Sequence, residues 1–402
     1  MGKWRGGEDD DESYAKMGKM RKGKKKSSKH SNLQESFEKL EKDWDSLFTK
    51  GAFPARVVEV HKRYVFVSRE KKIGKVQTND VWLAEVARRF RQAERLERNF
   101  VAVGDRVLCM PASSLDVDVE SDLPRCVIEH LAPRSALISR FDPHNRNLIH
   151  VLATNMDQLM IVASYLHPTV KWGLIDRYLV LAESEQIPAC IVLNKRDLLQ
   201  REVGSDFHRQ CVEMRDVYRK IGYNVFDLQI HGEGADSQDP QLSQIQEFLK
   251  GKITLLSGHS GVGKSSLINS FDPEIVQPVE ENSDIFYKGR HTTTFASFIK
   301  LGTGGYVIDT PGIRSFTFHE RRAKELAWCF VEFRPFLGQC RYRECGHLEE
   351  PSCAIIEAVR QGLISSARYK SYGAILKGAS GREGRLRDID LDEPSSSVPI
   401  ET

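Results

Sequence analysis

No stretch of this 402-residue chain approaches the ~18–20 consecutive apolar residues that a membrane-crossing helix requires. The N-terminus carries no apolar run behind its basic residues, so it does not read as a secretory leader. The acidic run EDDDE at 8–12 does not suit an organelle transit peptide, which is poor in acid. A disulfide framework is missing too. Five of the eight cysteines, Cys109, Cys126, Cys190, Cys211 and Cys329, are scattered, several among apolar neighbours, as reduced core cysteines are. Together these absences leave a cytoplasmic globular protein with no membrane partner as the expectation.

What is present is 40% hydrophobic and 29% charged residues, with a net charge of only +3 that is unevenly spread. Eight Lys/Arg and no acid lie between Lys16 and Lys29. Residues 1–50 are polar and of low complexity, and read as a solvated tail that can add affinity for a polyanion. A short helix can form at its end, over LQESFEKLEKDWDSLF. From Phe53, runs such as ARVVEVHKRYVFVS, NFVAVGDRVLCM and LPRCVIEHLAP are short and β-rich. About five such strands suggest a small barrel of the OB type. The stretch VWLAEVARRFRQAERLER reads as a helix or a charged insertion within it. From Asp157, DQLMIVAS, WGLIDRYLVLAESEQ and PACIVLNK give strand, helix, strand, the unit of a parallel sheet. Residues 376–402 are rich in Gly, Ser and Asp and read as a tail.

Four motifs carry nucleotide chemistry. GHSGVGKSS supplies Gly258, His259, Ser260, Gly261, Val262, Gly263, Lys264, Ser265 and Ser266, a phosphate-binding loop between a strand and a helix start. Lys264 can reach the β- and γ-phosphates, and Ser265 can hold Mg²⁺. DTPG places Asp309 at a strand end, 44 residues past Ser265, as a second Mg²⁺ group, with the Gly312 N–H as a γ-phosphate sensor. GRHTTT lies between these two. Thr293, or failing that Thr292, can bind Mg²⁺ and the γ-phosphate and order a switch. NKRD supplies base specificity. Asp197 can accept two hydrogen bonds from guanine, Asn194 can contact the base and brace the phosphate loop, and the stem of Lys195 can cover the ring. The glutamine that GTPases often place after D-x-x-G is replaced by Ile313, which cannot orient water; His291 is the candidate substitute.

The motif order is reversed, since NKRD precedes the phosphate loop. The helix LSQIQEFLK would close an ordinary GTPase and KITLLSG would open one, yet here they are joined through Gly251. This reads as a circular permutation. Beyond DTPG, Cys340, Cys345, His347 and Cys353 are spaced C-x4-C-x-H-x5-C. Three thiolates and an imidazole suit one structural, tetrahedral Zn²⁺.

NKRD before GHSGVGKSS, then GRHTTT, DTPG, the Cys/His cluster and APRSALISR at 132–140 together resemble the circularly permuted small-ribosomal-subunit biogenesis GTPases of the RsgA/YjeQ family. The resemblance covers roughly residues 53–375. It implies a multidomain chain: an N-terminal OB-fold β-barrel, a circularly permuted P-loop GTPase α/β domain and a C-terminal helical zinc-binding domain. The expected boundaries are 1–50 for the basic extension, 51–135 for an RNA-binding barrel, 136–318 for the G domain, 319–375 for the zinc domain and 376–402 for the tail. It further implies a monomer that binds GTP and GDP with Mg²⁺, engages the small ribosomal subunit and its rRNA, and hydrolyses GTP late in subunit maturation, stimulated by the subunit. The alternative is a nucleotide-gated rRNA-binding protein with negligible hydrolysis. One departure is DLQIHGEG, where Leu228 and Gln229 replace the small pair of the family's SAxxGEG-like loop.

Overall fold

The first described segment opens on alternating apolar residues, and these close a barrel. A computed structural model of the chain describes residues 51–61, 63–72, 75–87, 101–113, 122–141, 149–230, 239–271, 297–302, 304–309 and 325–379. Strands β1 (Phe53–Val60), β2 (Val65–Lys72), β3 (Lys75–Val86), β4 (Arg106–Ala112) and β5 (Arg125–Leu131) follow one another in sequence. In space they run β1-β2-β3-β5-β4, and β4 pairs back onto β1 antiparallel, so the sheet closes with five strands. Closure removes the free edges that an open sheet of this size would leave. Val57, Val67, Leu83, Val107, Leu108, Cys126 and Ile128 are fully buried in this unit. Arg56 and Glu70 are also buried there, paired at 3.0 Å.

VWLAEV differs from the helix or insertion that the charge pattern suggests. It is the end of β3, with Val81, Trp82, Leu83 and Ala84 opposite Ser68, Val67, Phe66 and Val65. Burial of Leu83 and the tilted packing of Trp82 against Phe53, ring centres 4.7 Å apart, outweigh the helical bias of the residues that follow. Residues 88–100 lie outside the described set, as do 1–50 and 380–402.

The second compact unit takes over at Ala136. Strands β6 (Leu137–Phe141) and β7 (Ile149–Thr154) form an antiparallel pair. The α/β sheet comprises β8 (Gln158–Ser164), β9 (Ala189–Asn194), β10 (Asn224–Asp227), β11 (Ile253–Gly258), β12 (Ser297–Lys300) and β13 (Tyr306–Asp309), in the order β10-β9-β8-β11-β13-β12. All neighbours are parallel except β12 and β13. Strands β8 and β9 read as near-continuous apolar runs because both of their faces are buried, and β11 is buried from Thr254 to Ser257.

Helix α1 (Trp172–Glu185) joins β8 to β9; α2 (Arg196–Arg201) and α3 (Asp206–Ile221) lead to β10. Ser205 caps α3 by accepting from the His208 N–H at 3.1 Å, and Gly222 ends it in the left-handed region. Helix α4 (Pro240–Leu249) passes through Gly251, at φ +70°, directly into β11. That turn is the join expected of a permuted chain. Helix α5 (Lys264–Phe271) follows the phosphate loop.

The C-terminal part packs α6 (Leu326–Cys329), a 3₁₀ helix (Val331–Phe336), α7 (Ala354–Arg360) and α8 (Ser366–Ala379) around Phe330, Phe333 and Tyr372. Val180 of α1 belongs to the same apolar cluster. Among the described residues, no helix is long and apolar enough to cross a membrane.

Candidate functional site

The phosphate loop starts where β11 can approach β8 most closely. A Cβ at Gly258 would stand 2.1 Å from the Val162 carbonyl oxygen, so only glycine fits there. At Gly263 a Cβ would stand 2.3 Å from Asn194 Nδ2. Helix α5 begins at Lys264, with Ser265 and Ser266 in its first turn, so its amino end closes the loop. Lys264 Nζ donates to the Gly258 and His259 carbonyls at 3.1 and 2.9 Å, which holds the ammonium across the loop.

Asp309 ends β13 and pairs in register with Leu256, two residues before Gly258. Its Oδ1 is buried and, among the described residues, has no hydrogen-bond partner. Burial pushes its pKa up, and the charge of Lys264 partly offsets that. An unpartnered carboxylate oxygen beside the phosphate loop, with the Ser265 hydroxyl close in sequence to Lys264, is a donor set that fits Mg²⁺. Asp309→Asn should therefore raise the Tm of the nucleotide-free protein, by about 2–4 °C if the charge costs about 1 kcal/mol. The raised pKa sets the sign: folding disfavours the ionised form above it, so the gap to wild type should close as pH falls. The same variant should lose Mg²⁺-dependent GTP affinity. Thermal scans across pH and nucleotide titrations with and without Mg²⁺ check both effects.

The guanine motif is built around Asn194, the last residue of β9 and 1% exposed. Its Nδ2 donates to the Val262 carbonyl at 2.9 Å. Its Oδ1 accepts from the Lys195 and Ile230 N–H groups at 2.8 and 3.1 Å. One side chain thus braces the phosphate loop against both base-side loops. Lys195 adopts φ +62° and lays its ammonium on the His167 and Gly261 carbonyls, the second at 2.9 Å. Burial lowers its pKa. Asp197 follows in the first turn of α2, partly exposed, with Arg201 Nη2 3.9 Å away, so its carboxylate is lightly held.

Sequence reading missed the second layer. Arg196 donates to the Asp227 carbonyl at 2.9 Å and reaches Asp239 at 3.4 Å. Gln241 exchanges two hydrogen bonds with the backbone of Asp227. These contacts clamp both ends of the loop after β10. Leu228 packs into the hydrophobic core beside Val192 and Phe226 and is fully buried. Its bulk is absorbed there. His291, Thr292, Thr293 and Gly312 lie outside the described residues.

Cys340, Cys345, His347 and Cys353 converge, with ligand atoms within 4.8 Å of one another. His347 Nδ1 lies 3.5 Å from Cys340 Sγ and 3.4 Å from Cys353 Sγ, and the two sulfurs are 3.8 Å apart. A tetrahedron with Zn–S of about 2.3 Å and Zn–N of about 2.0 Å has edges of ~3.8 Å between sulfurs and ~3.5 Å from sulfur to nitrogen. The donor set fits one zinc ion. Burial first, then the neighbouring thiols, push the Cys345 thiol up to about 12, while burial lowers the His347 pKa. A dication in their midst supplies the charge that lets such thiols ionise. The loop is held from outside. Glu350 accepts from the Gly346, Leu348 and Glu349 N–H groups at 2.6, 3.0 and 3.1 Å. Tyr369 and Tyr372 hydroxyls donate to the His347 and Gly346 carbonyls, both at 2.9 Å.

Known proteins share this organisation. The RsgA GTPase family pattern matches residues 131–319. The chain is 41% identical over 251 residues to a small ribosomal subunit biogenesis GTPase RsgA from Shewanella oneidensis, covering 62% of this chain and 67% of that one. It is 33% identical over 358 residues to the protein of the same name from Yersinia enterocolitica, covering 84% and 96%. Among solved structures it is similar to YjeQ from Thermotoga maritima, with a TM-score of 0.60 and 29% identity over 82% of this chain and 99% of that one. It is also similar to YloQ, described as a circularly permuted GTPase, with a TM-score of 0.57 and 25% identity.

Proposed function

The chain belongs to the RsgA GTPase family, and we propose that it binds the small ribosomal subunit late in its maturation and hydrolyses GTP to GDP and phosphate under stimulation by that subunit. The observation that carries this reading is the Asn194 brace, which ties a guanine-type motif to a phosphate loop 68 residues further along the chain. Such a tie makes base recognition and phosphate binding one site.

In this reading the loop N–H groups from Gly258 to Ser266 cradle the phosphates, and Lys264 turns from the carbonyls to the β- and γ-phosphate oxygens. Ser265, Thr293 and Asp309 would hold Mg²⁺, which would supply positive charge against that of the phosphates. The Gly312 N–H senses the γ-phosphate, with Thr292 as the alternative switch threonine. His291 orients the attacking water when the subunit is bound, so turnover in isolation is slow. Asp197 reads guanine, and the stem of Lys195 covers its ring. Residues 51–135, 136–318 and 319–375 act as RNA-binding, G and zinc domains of a cytoplasmic monomer, between a basic extension at 1–50 and a tail at 376–402.

GTP turnover measured with and without small subunits tests this. A large rise with subunits is expected. Flat turnover by protein that still binds subunits in a nucleotide-dependent way would establish the nucleotide-gated RNA-binding reading in its place. Removing residues 1–50 should lower subunit affinity and make its salt dependence shallower by nearly one unit per lost phosphate contact. Turnover at saturating subunit should stay close to wild type, because the tail holds none of the motifs. Unchanged affinity and salt slope would make the tail a bystander.

A further inference from the structure

Arg368 of α8 is 0% exposed and takes no part in the nucleotide chemistry. It donates to Asp176 Oδ1 of α1 at 2.6 Å and, in a fork, to Glu332 Oε1 and Oε2 at 2.6 and 3.0 Å. Its guanidinium also lies 4.6 Å from the centre of the Phe330 ring. Asp176 Oδ1 accepts from the Tyr218 hydroxyl at 2.6 Å, while its Oδ2 is buried without a partner among the described residues. One cation with two carboxylates, all desolvated, is a poor source of net stability. It does impose one register, because a forked guanidinium cannot satisfy both acids from a shifted helix.

Each end of this cluster leads to a site. On one side, the residue after Arg368 is Tyr369, which with Tyr372 holds the carbonyls of the His347 loop. On the other, α1 begins immediately after the loop at 165–171. There the Tyr165 N–H donates to the Asn194 carbonyl at 3.1 Å, the His167 carbonyl accepts from Lys195 Nζ, and Pro168 Cδ lies 3.7 Å from where a Cβ on Gly261 would stand. The two helices also meet directly, since Gly173 of α1 faces Ser371 of α8. Contacts therefore run without a break from the thiol cluster to the base motif and the phosphate loop.

We propose that Arg368 is a positioning residue that registers α8 on α1, so that zinc at the Cys/His cluster and guanine nucleotide at the phosphate loop each tighten the binding of the other. This rests on the reading of both sites given above. When the Cys/His loop loosens, α8 loses its hold at Tyr369 and Tyr372, and Arg368 no longer fixes α1. The loop at 165–171 must then be ordered by the nucleotide itself, at a cost to affinity. Linkage makes the effect reciprocal.

The test uses the full-length zinc-loaded protein and no ribosomal component. Zinc is drawn to a chromophoric chelator with and without saturating GDP, and GDP affinity is measured with a fluorescent analogue. In wild type, GDP should tighten zinc binding about 10-fold, within the ~5–150-fold span of such couplings. In Arg368→Met with Asp176→Asn and Glu332→Gln, which removes all three charges together, the factor should fall below about 2. Arg368→Lys, which keeps the charge and loses the fork, should give an intermediate factor. Wild-type zinc affinity indifferent to GDP, or variants that keep the wild-type factor, would overturn the proposal. Wild type that bound no zinc or no GDP would overturn the site reading beneath it.

Discussion

Asp197→Asn is expected to weaken GTP binding by about 10⁴-fold, the scale on which a site built for a hydrogen-bond pattern rejects a mismatch. A carboxylate accepts from both the ring N–H and the exocyclic amine of guanine. An asparagine amide offers one acceptor and one donor, and the donor meets the amine. Xanthine carries an oxygen where guanine carries the amine, so xanthosine triphosphate should gain affinity in the same variant. Folding should be nearly indifferent to the change, because among the described residues the ion pair of Asp197 is a long one, to Arg201 at 3.9 Å, on a side chain 75% exposed. Competition of both triphosphates against a fluorescent guanine nucleotide measures the switch. Unchanged GTP affinity in the variant would remove Asp197 from the base site.

Cys345→Ser is expected to lose nearly all bound zinc. Apparent zinc binding at such sites is worth about 10–16 kcal/mol, more than the stability of most domains, so a three-ligand remnant cannot hold the fold around it. Hydrogen exchange over 330–375 should rise, because Tyr369 and Tyr372 would no longer meet an ordered loop. GTP binding should persist, weakened by the linkage factor proposed for Arg368, since the core under the phosphate loop is built from β8, β9, β11 and α5. Elemental analysis of carefully purified wild type supplies the opposing result: no zinc there would end the metal reading.

These two sites were the easiest to see in the sequence because each is written in a short run. GHSGVGKSS, NKRD and the fourteen residues from Cys340 to Cys353 carry their chemistry locally. The strands and helices of the α/β sheet were legible for a related reason: DQLMIVAS and WGLIDRYLVLAESEQ have clear periods, and α1 ends at Glu185. Contacts that join distant segments were not legible. Arg368 and Asp176 are 192 residues apart, and Arg196 and Asp239 are 43 apart. Nothing in the sequence around Arg368 distinguishes a buried arginine from a surface one. VWLAEV was misleading because its strand character comes from the partner strand at 65–68 and from Phe53, not from its own composition. The burial of Leu228 was not legible either, because its neighbours Val192 and Phe226 come from β9 and β10 rather than from its own loop.

The turn through Gly251 that carries α4 into β11 also dictates when the sheet can be completed during synthesis. Strand β11 lies between β8 and β13, yet it emerges from the ribosome after β8, β9 and β10 have all been made. At roughly 5–20 residues per second, the interval between the end of β8 and the start of β11 lasts on the order of 4–18 s. Throughout it, β8 is an apolar strand that lacks β11, and at least one of its edges is unpaired, the kind of edge that recruits other strands. The nascent chain passes through a stage in which Asn194 has nothing to brace, because its partner Val262 has not yet been made. A permuted G domain therefore comes off the ribosome with its central strand last among those flanking β8, and it depends on what shields that edge in the meantime.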